Sequence, residues 1–200
     1  MKRIIVAATG ASGAIYAVKL LEAVVRFEIE IHLVFSNTAK KVMLYETGES
    51  FSEIVERLES GIKMDKLPCR ITLHENNNMF SSIASGSFKT EGMIIIPCAI
   101  ACAGRIASCS GNTLIERAAD VCIKERRPLV LAVRETPLNL IHLKNLTALC
   151  DAGAVIFPAM PSFYSRPETI DELAENFASR VLASFGLVTE NYREWKENEL

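Results

Sequence analysis

The chain reads as a single α/β domain built on a doubly wound parallel sheet. Three observations predict this. Continuous apolar runs at 3–9, 29–35, 93–97, 128–133 and 154–157 have the composition of strands buried on both faces. Helical periodicity fills most of the intervals, and such alternation marks a parallel sheet with helices on both sides. The first run also passes directly into Gly10-Ala-Ser-Gly13-Ala-Ile-Tyr, a tight loop that opens an amphipathic helix. With 200 residues, half of them hydrophobic, the chain is long enough for one sizeable core.

In chain order, the strand at 3–9 is followed by a helix at 14–26, a strand at 29–35 and helices at 38–47 and 52–59. Gly61 to Asn78 is polar and irregular, and reads as a long surface connection. The strand at 93–97 leads to helices at 99–108 and 113–126, the latter with Ser110 or Asn112 placed to start it. The strand at 128–133, a helix at 139–151 and the strand at 154–157 follow. A last helix at 169–185, started by Pro167 or Thr169, and a tail through Trp195 are expected to pack over the site or on a neighbouring subunit. In such a sheet the loops after the strands share one edge, where ligands bind. That edge would collect Gly10 to Gly13, Ser36-Asn37, Cys98 to Ala101, Arg134-Glu135 and Pro158 to Tyr164.

Composition narrows the function. A net charge of −2 argues against a nucleic-acid partner, which needs a basic face to displace phosphate counterions, so the cations are better suited to a small anion. No apolar run approaches the roughly 18 residues that would span a bilayer. Only Met1-Lys2-Arg3 precedes the first strand, too little for a secretory signal, so a cytoplasmic protein is expected. The six cysteines at 69, 98, 102, 109, 122 and 150 are scattered, and read as reduced thiols.

Gly10-x-x-Gly13 is not the Gly-x-Gly-x-x-Gly of dinucleotide folds, and Ser36-Asn37 stands where those folds place an acid for the ribose. The loop suits a monophosphate, or is simply a turn with Ser12 capping the helix. Arg117 and Lys124 share a helical face and could clamp an anion, although Lys124, Arg126 and Arg127 also complement the helix macrodipole. Arg134-Glu135 follows a buried strand directly, where charges are costly unless paired or facing a ligand. Tyr164 sits in a loop stiffened by Pro158 and Pro161, and Arg180 reads as a solvated mid-helix charge. Glu46 passes for an ordinary exposed carboxylate. Cys98-x-x-x-Cys102 and histidines 32, 74 and 142 match no zinc spacing, so no metal is expected, and Cys98 has no evident basic partner in sequence.

Taken together, Gly-Ala-Ser-Gly-Ala-Ile-Tyr, Leu44-Tyr-Glu-Thr47, Ser85-Gly-Ser-Phe88, Arg117-Ala-Ala-Asp120, the run from Lys124 to Leu138 and Pro161-Ser-Phe-Tyr164 resemble the UbiX-type flavin prenyltransferases, colinearly over nearly the whole chain. The resemblance implies transfer of a dimethylallyl group from dimethylallyl phosphate, or the diphosphate, to N5 and C6 of reduced FMN without a metal. It implies a three-layer flavodoxin-like or Rossmann-like fold, a homododecamer with sites at subunit interfaces, and a UbiD-type decarboxylase that receives the prenylated FMN. By position, Gly10, Ala11, Ser12, Ser36, Arg134 and the loop Ala99-Ile100-Ala101-Cys102 would contact FMN. Arg117, Lys124, Tyr164, Arg180 and Trp195 would hold the prenyl phosphate or close over it. Glu46, Glu135 and Ser12 would act in catalysis. The Ala99–Cys102 loop departs from the family's Ser-Met-Lys-Thr, losing a lysine and two hydroxyls. Two other readings remain open: an FMN-binding carrier subunit of a decarboxylase, and a flavoprotein of the cysteine-decarboxylating kind, for which His32, inside a strand, is poorly placed as a base.

Overall fold

The computed structural model describes residues 1–190 and 192. Six parallel strands form one sheet: β1 (Lys2–Ala8), β2 (Ile29–Phe35), β3 (Cys69–Glu75), β4 (Met93–Ala99), β5 (Leu129–Arg134) and β6 (Val155–Pro158). Their order is β3-β2-β1-β4-β5-β6, so the direction of winding reverses between β1 and β4. A crevice opens at that reversal, beyond the carboxyl ends of the two strands.

Alternate side chains of β1 enter different cores. Ile4, Val6 and Ala8 join α1 (Ala14–Val24), α2 (Asn37–Thr47), α3 (Phe51–Met64) and α7 (Ile170–Ser184) on one face. Ile5 and Ala7 meet α4 (Ile100–Ala107) and α5 (Leu114–Lys124) on the other, to which α6 (Leu140–Asp151) adds Leu149. Among the described residues, no helix is long and apolar enough to cross a membrane.

Local chemistry sets the helix boundaries. Ser50 and Glu53 form a reciprocal capping box on α3, as Thr113 and Glu116 do on α5. The start of α5 is therefore Thr113, not Ser110 or Asn112. Thr169 caps α7 as expected, accepting from the Glu172 amide at 3.1 Å. Gly48, at φ 76, ends α2 in the left-handed region.

The segment 61–78 is not a loop. Residues through Met64 complete α3, and Cys69–Glu75 is one edge strand of the sheet, paired in register with β2 from Ile29↔Cys69 to Phe35↔Glu75; the other edge is β6, which is partly exposed rather than buried on both faces. Cys69 and Ile71 pack on the core while Arg70, Leu73 and Glu75 are exposed, the half-buried pattern of an edge.

Candidate active site

The carboxyl end of β1 is tied to that of β4 by one side chain. Thr9 Oγ1 donates to Pro97 O at 3.2 Å and accepts from the Ala99 amide at 2.7 Å, while the Thr9 amide donates to Pro97 O at 3.0 Å. The chain then passes Gly10, where a Cβ would run into the Thr38 methyl, so the loop lies closer to α2 than any other residue permits. Between these ends lies a cleft of about 260 Å³, lined by Thr9, Gly10, Ser36, Thr38, Asn76, Ala99, Ala101, Cys102 and Arg105, with Thr113, Ile115 and Glu116 on its α5 side. Sequence reasoning placed Gly10, Ser36, Ala99, Ala101 and Cys102 together here. Thr9, Thr38, Asn76 and Arg105 it missed. For Arg105 a signal existed: it stands one helical turn beyond Ala101 and shares its face.

Glu46 is no ordinary surface carboxylate. From the last turn of α2 it accepts the amides of Gly13 at 2.9 Å and Ala14 at 2.8 Å, filling the amino end of α1. Gly13, at φ 107, is the residue at the helix cap, and Ser12 does not cap. The Ser12 hydroxyl instead bonds Glu46. Partial burial would raise this carboxyl, but the Ser12 hydroxyl, the two amides and the charge of Arg134 outweigh it and hold the group below the usual carboxylate range.

Arg134 also faces Tyr16, whose phenol burial pushes upward and Arg134 pulls partly back. Tyr16 lies 4.6 Å from Phe177, ring to ring, and Phe177 5.7 Å from Phe157. Phe157 and Phe177, with Met160 and Arg180, line a second cleft of about 360 Å³ at the β6 end of the same edge. Arg134 and Glu135 are exposed in the single chain, so the desolvation argued from sequence does not apply within one protomer. Tyr164, 39% exposed, is carried by the loop after β6, which the Asn176 amide ties to α7 through Ser165 at 2.8 Å. Ser12, Glu46, Arg134 and Arg180 thus lie along one sheet edge. Trp195 falls outside the described residues.

Arg117 and Lys124 lie elsewhere. The Leu114 amide bonds Asn76 O, just past the end of β3, so α5 starts at the edge of the cleft and runs to the opposite edge, where β5 begins. Arg117 and Lys124 share a helical face, as their spacing predicted, and both reach the segment 84–88. Arg117 donates to Ala84 O at 3.0 Å and pairs with Asp120 at 2.7 Å. Lys124 pairs with Glu125, both heads lying against Gly86. Arg127, which sequence reasoning assigned only to the helix dipole, donates to Gly86 O at 2.6 Å and Phe88 O at 2.8 Å. Within one chain Lys124, at the far end of α5, therefore lies at the opposite sheet edge from Glu46 and Arg134.

The remaining candidates have structural roles. The Cys98 thiol is pushed well up by its hydrogen bond to Cys102 and by burial, leaving it protonated. All six cysteines are free. His32 is buried at 3% exposure inside β2, with Nδ1 at 2.9 Å from His74 Nε2, and burial pushes it down to about 4. Among the described residues, no group of three or more His, Cys, Asp and Glu side chains could hold a metal ion.

A family model described as Flavoprotein matches residues 1–181. The flavin prenyltransferase UbiX of Thauera aromatica is 42% identical over 197 residues, 98% of this chain and 95% of that protein. The crystal structure of AnUbiX (PadA1) in complex with FMN and dimethylallyl pyrophosphate is 40% identical and superposes with a TM-score of 0.90 over 99% of both chains. A dodecameric FMN-dependent UbiX-like decarboxylase from Escherichia coli O157:H7 is 39% identical, with a TM-score of 0.88 over 97% of this chain and 99% of that one. The edge cleft, the carboxylate-capped glycine loop and this full-length likeness agree: the chain belongs to the flavoprotein family and, within it, to the UbiX-type flavin prenyltransferases.

Proposed function

We propose that the chain joins the dimethylallyl group of dimethylallyl phosphate to reduced FMN, yielding prenylated FMN for a UbiD-type decarboxylase. The observation that carries this is the end-to-end likeness to a protein that holds FMN and dimethylallyl pyrophosphate together. The residues at the edge fit a flavin mononucleotide. Gly10 and the small side chains Ala99 and Ala101 leave room for a planar ring, while Ser36, Thr38 and a cation supply the polar end. Reduced FMN, when bound, supplies the nucleophilic nitrogen and carbon that become alkylated.

The chain supplies the surroundings. Glu46, kept as a carboxylate, fixes the Ser12 hydroxyl, so that a proton gained at Ser12 Oγ can pass to Glu46. Glu135, at the mouth beside Arg134, is the second carboxylate able to take a proton from the alkylated ring. A departing phosphate needs cations and hydrogen-bond donors, which the Arg180 guanidinium and the Tyr164 hydroxyl supply from one protomer and Lys124 and Arg117 from the segment 84–88 side of another. The distance between Lys124 and Arg134 within one chain supports this division, and it suits a homododecamer with sites between subunits. Tyr16, Phe157 and Phe177 form an aromatic wall on the α1, β6 and α7 side of this edge, suited to an allylic cation shielded from water. Six free thiols go with a cytoplasmic setting. The cysteine-decarboxylating alternative would need an accessible base, and His32 is buried in β2 against His74.

The test is anaerobic incubation of the protein with reduced FMN and dimethylallyl phosphate, then mass analysis of the extracted flavin. A gain of one C5H8 unit is expected. Bound but unmodified flavin, with the diphosphate also tried, would identify a carrier instead.

A further inference from the structure

We propose that Arg105 binds the phosphate of FMN and makes the chain selective for the mononucleotide over riboflavin. The inference rests on the reading of the cleft as an FMN site.

Arg105 is the only cation among the described residues lining the 260 Å³ cleft. It is held in place rather than neutralised in all directions. Its Nε donates to Glu116 Oε1 at 2.5 Å, and the terminal guanidinium nitrogens have no partner among the described residues. Glu116, only 3% exposed, is itself fixed, because Oε2 accepts the Asn112 and Thr113 amides at 2.9 and 3.1 Å. The carboxylate is thus turned to the backbone and to Nε, which leaves the far side of the guanidinium to present two N–H groups to an anion. Ala99 offers no side-chain cap to α4, so the first-turn amides of that helix add positive potential at the same cleft, where Ala101 and Cys102 lie. Ser36 uses an oxygen lone pair to accept the Ala39 amide at 3.1 Å and keeps its O–H for donation.

The other place a phosphate could take is closed. In many nucleotide folds the phosphate rests on the amino end of the first helix. Here the Glu46 carboxylate holds the amides of Gly13 and Ala14, and its charge would repel a dianion. With Glu46 and Arg134 at one end of the edge and Arg105 at the other, the flavin lies with its ring toward β5 and its phosphate toward β2 and β3.

The rival account makes Arg105 a strut joining α4 to α5 through Glu116. Flavin titrations of the assembled protein, stripped of flavin, separate the two, because riboflavin lacks only the phosphate. Wild type should bind FMN more tightly than riboflavin. Arg105→Ala should weaken FMN about tenfold to a hundredfold and change riboflavin less than about twofold, with Arg105→Lys between. Glu116→Gln, which weakens the strut but keeps the cation, should retain the preference for FMN. Equal weakening of both flavins by Arg105→Ala, or unchanged FMN binding, would overturn the proposal. A wild type that binds neither flavin would instead refute the FMN reading on which it stands.

Discussion

Glu46 shows how a side chain gains its meaning from what it touches. With two backbone amides and the Ser12 hydroxyl on it, the carboxylate fixes the loop and holds a proton acceptor beside the cleft. Glu46→Gln should therefore cut prenylation by about tenfold or more while FMN stays bound, as single-turnover assays with reduced flavin would read. His32 gives a prediction about stability. Its pKa lies at about 4 in the folded chain against an ordinary 6.5, so the unfolded chain binds the extra proton first. Stability should be complete above pH 6.5 and fall as pH drops toward 4, by a total on the order of 3 kcal/mol. Thermal melts should show this slope in wild type and a shallower one in His32→Asn. The resemblance gave Glu46 a catalytic role, but neither its amide and hydroxyl partners nor the contact of His32 with His74 was legible in the sequence. Glu46 stands 32 residues from its Ala14 partner, and His32 is 42 from His74, so only the fold supplies the neighbours.

At the level of elements, β1, β2, β4 and β5 were legible because each is a continuous apolar run buried on both faces, and β6 was found by the same signal although it is a partly exposed edge. The edge strand β3 escaped because Cys69-Arg-Ile-Thr-Leu-His-Glu75 mixes polar and apolar residues over half-buried positions. The α4 face was legible only in part: Ala99 to Cys102 are neighbours in sequence, whereas Arg105 reaches the cleft by a turn of helix. On α6 only Leu149 is buried, while Leu140 and Ile141 are 65% and 68% exposed. An apolar helix face of this kind suits contact between copies in the proposed dodecamer. Leu140→Glu with Ile141→Glu should shift the protein to smaller species in light scattering while leaving the circular dichroism of each chain unchanged.

For the whole molecule, the separation of Arg134 from Lys124 across the sheet has a direct test. Lys124→Ala and Arg134→Ala should each be nearly inactive alone. Co-refolded in equal amounts, they should recover up to about a quarter of wild-type activity, since random assembly pairs an intact cleft edge with an intact 84–88 edge that often. If the mixture stays silent, the site does not draw on two chains. On the proposed two-chain site every chain would be both lender and borrower. A lesion at Lys124 would leave its owner's pocket whole and disable the neighbour's, so defects would report at a distance from where they arise. It also ties catalysis to crowding. On dilution below the point where assemblies persist, rate should fall faster than concentration, with an apparent order in enzyme above one, and added catalytically dead chains with intact lending edges should rescue it.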